Sequence, residues 1–342
     1  MSARRHVAGK RQRNEAEEIA NPVRTDSEQE EAISPREFLR LQGLHGNLLL
    51  KAGRYNVEVT NLDKVYWPNE GYSKGDLIRY YIRVSKYLLK YLKDRPAILV
   101  RYPNGIRGEG FYQQNVKDPP DFVKTQKLKN QVGRILNYVI YSDLACLAYL
   151  VNLGTIAQNP WHSRIDRLDE PDYVVIDLDP HEAPFANVLK VALVVRDVLR
   201  DVGMTGYPKT SGSSGVHILI PISRGYGYDQ AARFAEYISN RVAGLVPKIA
   251  TAERKISDRK RDQVYVDWQQ NARGKTAASV YSVRARPGAT VSTPVTWAEL
   301  SDGIEISDFT IETVPLRLNK KGDLWDGMLN DRQRLPRLPR EL

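Results

Sequence analysis

Residues 173–180 read YVVIDLDP, a β-branched, apolar run broken at its end by two acids and a proline. The run predicts a short buried strand that stops at Pro180. Side chains two apart on a strand leave the same face, so Asp177 and Asp179 aim at one spot. Two carboxylates held close raise the proton affinity of one of them unless a cation neutralises both. Taken alone, the pair fits a solvated strand end as well as a site for a hard cation such as Mg²⁺ or Mn²⁺.

Working outward, FANVLKVALVVRDVLRDVG (185–203) has helical periodicity and a closing Gly203. A second strand is predicted in GYPKTSGSSGVHILIPI (206–222), a helix over Tyr228–Ala243, and a third strand in QVYVDWQQN (263–271). Strand, helix, strand, helix, strand predicts a mixed sheet backed by helices, an α/β (α+β) fold. Asp267 lies in the third apolar strand, where an unpartnered acid is expensive to bury. It is either an outward-facing strand residue or the third acid of a two-metal site, the device that serves in-line displacement at phosphorus.

The turn TSGSSG between the acid strands supplies glycines that let backbone amides approach an anion, with hydroxyls from Ser211, Ser213 and Ser214. His217 opens the following strand and fits either a structural role or a contact to a triphosphate. Lys275, Arg284 and Arg286 follow Asp267; they fit a solvated basic loop or cations that neutralise a polyphosphate. The chain contains no GxxxxGK[ST] loop, CxxC pair or His-Glu-x-x-His helix, which removes the ordinary ATPase and zinc readings.

Upstream, residues 1 to about 35 are rich in both charges and poor in large apolar groups, so a mobile tail is expected. REFLRLQGLHGNLLLKAGR (36–54) is read as a short linking helix and YNVEVTNLDKVYWP (55–68) as a strand, which starts the folded unit near residue 50. Ser73 caps a helix whose Leu77, Tyr80, Tyr81, Val84 and Leu88 recur at core spacing. PAILVRYPNG (96–105) and GFYQQN (110–115) are strands around a turn, and DLACLAYLVNLG (143–154) is an apolar helix. Residues after about 279 read as irregular closing segments. The single Cys146 is a core residue, and one cysteine forms no intrachain disulfide, which fits a reducing compartment. A net charge of +10 with 19 Tyr and 5 Trp suits a polyanion whose bases stack. No stretch reaches the roughly 18 apolar residues of a membrane span, so no membrane partner is expected and a cytoplasmic, nucleoid-associated protein is.

The segments TNLDKVYWP (60–68), RYPNG (101–105), GFYQQN (110–115), VVIDLDP (174–180), KTSGSSGVHI (209–218), VYVDWQQNARGKT (264–276), YSVRARPG (281–288) and TWAEL (296–300) occur in one order. Through them, residues 55 to 330 resemble the polymerase domain of bacterial ligase D, within the archaeo-eukaryotic primase superfamily. The resemblance implies a primase-polymerase fold with an RRM-like catalytic sheet. It divides the chain into a flexible extension (1–50), a catalytic domain of two packed subdomains (51–330) and a C-terminal tail (331–342). It implies gap filling or end extension in DNA break repair, with two Mn²⁺ or Mg²⁺ ions and preferred ribonucleoside triphosphates. Asp177, Asp179 and Asp267 would hold the metals; Ser211, His217, Lys275 and Arg284 would hold the nucleotide's phosphates. Phe111 and Tyr112 would stack on a base, Lys64 and Lys74 would bind the 5′-phosphate across a gap, and Arg259 or Lys260 would contact the template. Its partners would be DNA with gaps or broken ends, NTP or dNTP, and a DNA ligase and an end-binding protein in trans. This sequence departs from the family at Asn159, where many relatives carry the histidine that here comes at His162, and at Ser214, where several carry lysine. A non-catalytic binder of 5′-phosphorylated ends and a metal-dependent nuclease are the competing readings.

Overall fold

A capping box between Ser34 and Glu37 starts helix α1 (Pro35–Phe38), which ends after one turn. The linking helix expected over 36–54 therefore does not form. Instead β1 (Leu48–Ala52) folds back antiparallel on β2 (Tyr55–Val59), and Leu50, Ala52, Val57 and Val59 alternate into the core. Phe38 and Leu44 are buried beside them. The computed structural model describes residues 31–338, and within them the folded unit starts at Ala32, not near residue 50. Three buried apolar side chains within residues 1–50, Phe38, Leu44 and Leu50, explain the shift. Residues 1–30 of that expected tail lie outside the described residues.

The hairpin β3 (Val65–Trp67) and β4 (Tyr72–Ser73) runs into α2 (Lys74–Leu92). Ser73 caps this helix through Asp76, and the predicted stripe Leu77, Tyr80, Tyr81, Val84 and Leu88 is buried. Its tyrosines keep their hydroxyls satisfied in the core: Tyr80 donates to Tyr281 O and Tyr81 to Ile156 O. Next come β5 (Ala97–Arg101), β6 (Phe111–Gln113), β7 (Thr125–Lys129), β8 (Ile135–Val139), α3 (Leu144–Asn152) and β9 (Thr155–Pro160). Strands β6, β5 and β9 form a three-stranded antiparallel sheet, and β7 pairs with β8 as a hairpin.

The second sheet carries the acids. Strands β10 (Tyr173–Asp179), β11 (Tyr207–Thr210), β12 (Val216–Pro221), β13 (Ala250–Thr251) and β14 (Val264–Asp267) lie in the order β11-β12-β10-β14-β13. All pairings are antiparallel except β13 with β14. The helices α4 (Phe185–Asp201) and α5 (Tyr228–Leu245) both pack on β10. Val174, Ile176 and Leu178 are wholly buried, while the alternating set that includes Asp177 and Asp179 projects from the opposite face. This is the predicted mixed sheet backed by helices.

The closing segments are more regular than expected, with helices α6 (Trp297–Asp302) and α7 (Thr313–Lys321). The stretch taken for a tail also adds to the fold. Gln333 makes a parallel bridge to Ile222, and its side chain bonds Thr205 N and O, so residues 331–338 pack as a rung. No helix among the described residues is long and apolar enough to cross a membrane.

Candidate active site

Lys209, His217, Asp177 and Asp267 stand on one cross-strand row: Lys209 opposes His217, His217 opposes Asp177, and Asp177 opposes Asp267. Directly opposed residues share a face, so strand register alone lines up four ionisable side chains from four strands. Asp179, two residues along β10, extends the acid end. Burial, then the charges of Asp267 and Asp179, pushes the Asp177 carboxyl up to about 7. His217 Nε2 lies 3.3 Å from Asp177 Oδ1. On its other side, Lys209 Nζ lies 2.9 Å from His217 Nδ1 and also bonds Ser292 Oγ. Donation by the lysine to Nδ1 leaves the proton on Nε2, facing the carboxylate. Burial holds both the Lys209 ammonium and the His217 imidazolium well below their ordinary values.

The serine turn differs from the amide cradle expected. The Ser211 hydroxyl accepts the backbone N–H groups of Ser213, Ser214 and Gly215 at 3.1, 3.2 and 3.0 Å. Those three amides are spent inside the turn, so Ser211 shapes it rather than offering free donors through its backbone. Glycine is needed at two points. A Cβ on Gly215 would stand 2.0 Å from Leu178 O, and Gly212, at φ +68°, would place one 2.6 Å from Ser292 N. Positive charge comes instead from Arg284, which donates to Ser211 O at 2.6 Å and lines a cleft of about 130 Å³ with Asp177, Asp179 and His217.

A larger cavity of about 500 Å³ opens beside this cleft, lined by Asp177, His217, Arg284, Arg286, Asn159 and Tyr112. Tyr112 is 78% exposed and Phe111 44%, so neither is core. Successive residues of β6 face apart: Tyr112 lines the cavity, while Phe111 lies beneath the Arg101 guanidinium, 5.3 Å from its ring centre. Asn159 faces the cavity, whereas His162 is buried outside it with both ring nitrogens unpartnered, and burial pushes its pKa down to about 3. His162 thus does not replace the missing histidine. Lys275 is not gathered with Arg284; it is exposed and lines an adjoining cavity of about 370 Å³ that shares Tyr112 and Gln270. Arg259 is tied to its own loop through Glu253 O and Arg254 O and stacks on Tyr265, while Lys260 is exposed.

Lys64 and Lys74 do come together. Lys74 is buried, and burial with the nearby Lys64 charge brings its ammonium down to about 8. Their nitrogens are held by neutral partners, Lys64 by Asn104 Oδ1 at 2.7 Å and Lys74 by Thr60 Oγ1 at 3.4 Å. Neither lysine makes a salt bridge among the described residues, so the two cations stand together without a neutralising acid.

Among the described residues, no three His, Cys, Asp or Glu side chains already close on one point as an ion cage. Asp267 accepts from Gln269 N and Gln270 Nε2, and Asp179 from His181 N. The donor chemistry nevertheless fits a hard divalent cation, because three carboxylates share one edge, and burial and then the charges of the other two make the central one costly to ionise without a cation. A raised carboxyl pKa favours the folded state below the unfolded value and loses that contribution as pH climbs through the folded one. Asp177 should therefore reduce the melting temperature of EDTA-treated protein between its ordinary 3.8 and about 7. Asp177→Asn should flatten that fall, and Mn²⁺ should raise the melting temperature of the unsubstituted protein most above pH 7. A melting profile that Asp177→Asn leaves unchanged would contradict this.

A family profile described as the primase-polymerase domain of LigD matches residues 73–325. This chain belongs to that family. It is 34% identical over 270 residues to the bifunctional non-homologous end joining protein LigD of Bacillus subtilis, covering 78% of this chain and 43% of that one. It is 31% identical over 290 residues to the multifunctional LigD of Pseudomonas aeruginosa, covering 83% and 34%. The chain thus spans less than half the length of these relatives. Among solved structures, the polymerase domain of Mycobacterium tuberculosis ligase D in complex with DNA matches with a TM-score of 0.74 at 30% identity. That match covers 80% of this chain and 98% of that one. The LigD polymerase fold is therefore shared, and with it membership of a nucleotidyltransferase-type family.

Two residues of this LigD-type site escaped the reading of the sequence. Lys209 carries no local signal in the sequence; the 290–293 segment covers it, with Ser292 as partner. Asn271 accepts from Val175 N and donates to Val175 O, bracing β10 just upstream of Asp177 beyond the end of β14. Its only signal was its place directly after the third acid strand.

Proposed function

We propose that this chain is a template-directed nucleotidyltransferase that adds nucleotides, preferentially ribonucleotides, at short gaps and broken DNA ends. The observation that carries the reading is the Lys209–His217–Asp177–Asp267 row opening onto a cavity faced by Arg284 and Arg286. Asp177, Asp179 and Asp267 would hold two Mn²⁺ or Mg²⁺ ions, which when bound supply the charge that favours an ionised 3′-hydroxyl and a pyrophosphate leaving group. Arg284 and Arg286 offer fixed cations to the triphosphate. The Nε2–H of His217 offers it a donor, and Tyr112 offers its ring to a base, a contact worth roughly 1–3 kcal/mol. Lys64 and Lys74 take the 5′-phosphate across the gap, Lys260 is the exposed cation for the template strand, and Lys275 serves the adjoining cavity. As in the relatives named for non-homologous end joining, the pathway is break repair in the cytoplasm, with a DNA ligase and an end-binding protein as partners.

Labelled nucleotide, Mn²⁺ and a one-nucleotide gap test the reading: incorporation dictated by the template base supports it. Salt-sensitive binding of the 5′-phosphorylated end without incorporation would favour a silent end-binding protein, and strand cleavage a nuclease. The lysine site adds a pH signature. With an ammonium brought down to about 8, Lys74 loses its charge as pH passes that value, so the preference for 5′-phosphate over 5′-hydroxyl gaps should shrink between pH 7 and 9. Lys74→Arg, charged throughout, should remove the decline. A preference that stays flat in the unsubstituted protein would sink this assignment.

A further inference from the structure

One short hairpin joins the lysine pair to the arginine loop. At its foot, Lys74 N–H donates to Lys64 O at 2.8 Å. At its far end, Trp67 Nε1 donates to Arg286 O at 2.8 Å, and Glu70 Oε1 accepts from Gly288 N at 2.5 Å. Trp67 is wholly buried, and the second Glu70 oxygen is buried with no partner, so the carboxylate makes its one bond to the loop. The loop is tight: Arg286 N donates to Arg284 O, and Arg284 N to Thr290 O, each at 2.8 Å. Moving the Arg286 carbonyl therefore moves Arg284, whose guanidinium fixes the serine turn and faces Asp177.

We infer that Trp67 and Glu70 are positioning residues that transmit occupancy of the Lys64/Lys74 site to the arginines of the catalytic cavity. The inference rests on the 5′-phosphate reading given above. A bound phosphate has the differential energy that coupling requires. It offers both ammonium groups charge-assisted bonds in place of their separate neutral ones to Asn104 and Thr60. The two lysines flank β3 and β4, so drawing them onto one anion sets the hairpin. Through Trp67 and Glu70 the hairpin then sets the backbone of residues 286–288. Occupancy of the far side of the gap thereby orders the cations that meet the incoming triphosphate.

The test compares single-turnover extension of a one-nucleotide gap carrying a downstream 5′-phosphate or 5′-hydroxyl, at saturating DNA, in the unsubstituted chain, Trp67→Phe, Glu70→Ala and Glu70→Gln. The unsubstituted chain should extend the phosphorylated gap faster. Trp67→Phe and Glu70→Ala should each lower that rate ratio about fivefold, the equivalent of one lost hydrogen bond. The loss should appear in the rate at saturation and not in the affinity gained from the 5′-phosphate. Glu70→Gln keeps a carbonyl acceptor and should retain most of the ratio. Equal slowing on both gaps indicates a merely structural role and overturns the inference, as does an unchanged ratio in the variants or a ratio of one in the unsubstituted chain. Should Trp67→Phe fail to fold, the pair at the half-buried Glu70 decides alone. If no nucleotide is incorporated on either gap, the polymerase reading has failed, an outcome distinct from extension without stimulation.

Discussion

Asp177→Ala should abolish the proposed nucleotide addition and leave binding of gapped DNA intact. Asp177 is the central acid of the row, opposed by His217 on one side and Asp267 on the other. Removing it takes away the carboxylate that lies 3.3 Å from His217 Nε2 and stands opposite Asp267. A loss of about 10³-fold or more in kcat is expected, the size found when one preorganised electrostatic partner of a transition state is deleted. DNA affinity should hold because Lys64, Lys74 and Lys260 belong to other elements. Deleting a carboxylate also relieves like-charge crowding, so the metal-free variant should melt no lower than the unsubstituted chain, which excludes unfolding as the cause. Primer extension, with gel-shift titrations of the same preparations, checks both halves. Extension at a normal rate by the alanine variant would remove the proposed mechanism.

The acid row was legible because its parts are local: alternation places Asp177 and Asp179 on one face, and Asp267 marks its strand by interrupting an apolar run. What the sequence could not supply was which residue of one strand faces which residue of another. Register made Lys209 and His217 members of the row, and nothing near Lys209 in the chain signals its burial by residues 290–293. The same holds for the N-terminal error. Leu48–Ala52 reads equally well as the end of a helix until Tyr55–Val59 folds back on it. The serine turn shows the reverse failure, since Gly and Ser in sequence suggest free amides, and only the structure reveals Ser211 consuming them. Lys64 and Lys74 are named only through the family resemblance, because residues ten apart have no local reason to meet; the β3–β4 hairpin brings their backbones into contact.

Arg95→Ala should cost about 3–5 kcal/mol of folding free energy, the sum of buried carbonyls left without their donor and the cavity left by a wholly buried side chain. Arg95 is wholly buried and uses its whole fork: Nε donates to Tyr91 O, Nη1 to Trp161 O and His162 O, and Nη2 to Asp172. Its guanidinium also lies 5.1 Å from the Tyr173 ring centre. These partners belong to the end of α2, the end of β9 and the start of β10, so one side chain fastens the three-stranded sheet to the five-stranded one. Burial pushes the Asp172 carboxyl up, yet the charges of Arg95 and Arg164 outweigh it and leave it below its ordinary value. In the alanine variant Arg164 keeps Asp172 partnered at 3.0 Å, while the carbonyls of Tyr91, Trp161 and His162 lose this donor. Arg95→Lys restores a charge but not the planar fork, so it should recover only part of the loss. Urea titrations measure it, and a change below about 1 kcal/mol for Arg95→Ala would place the variant among ordinary surface substitutions. The consequence reaches the chemistry, because Asn159 on β9 and Tyr112 on β6 face Asp177 and His217 across the cavity. Loosening the seam between the sheets separates the Tyr112 and Asn159 wall from the acid wall. The folded fraction of Arg95→Ala should therefore incorporate nucleotide more slowly than its stability loss alone accounts for.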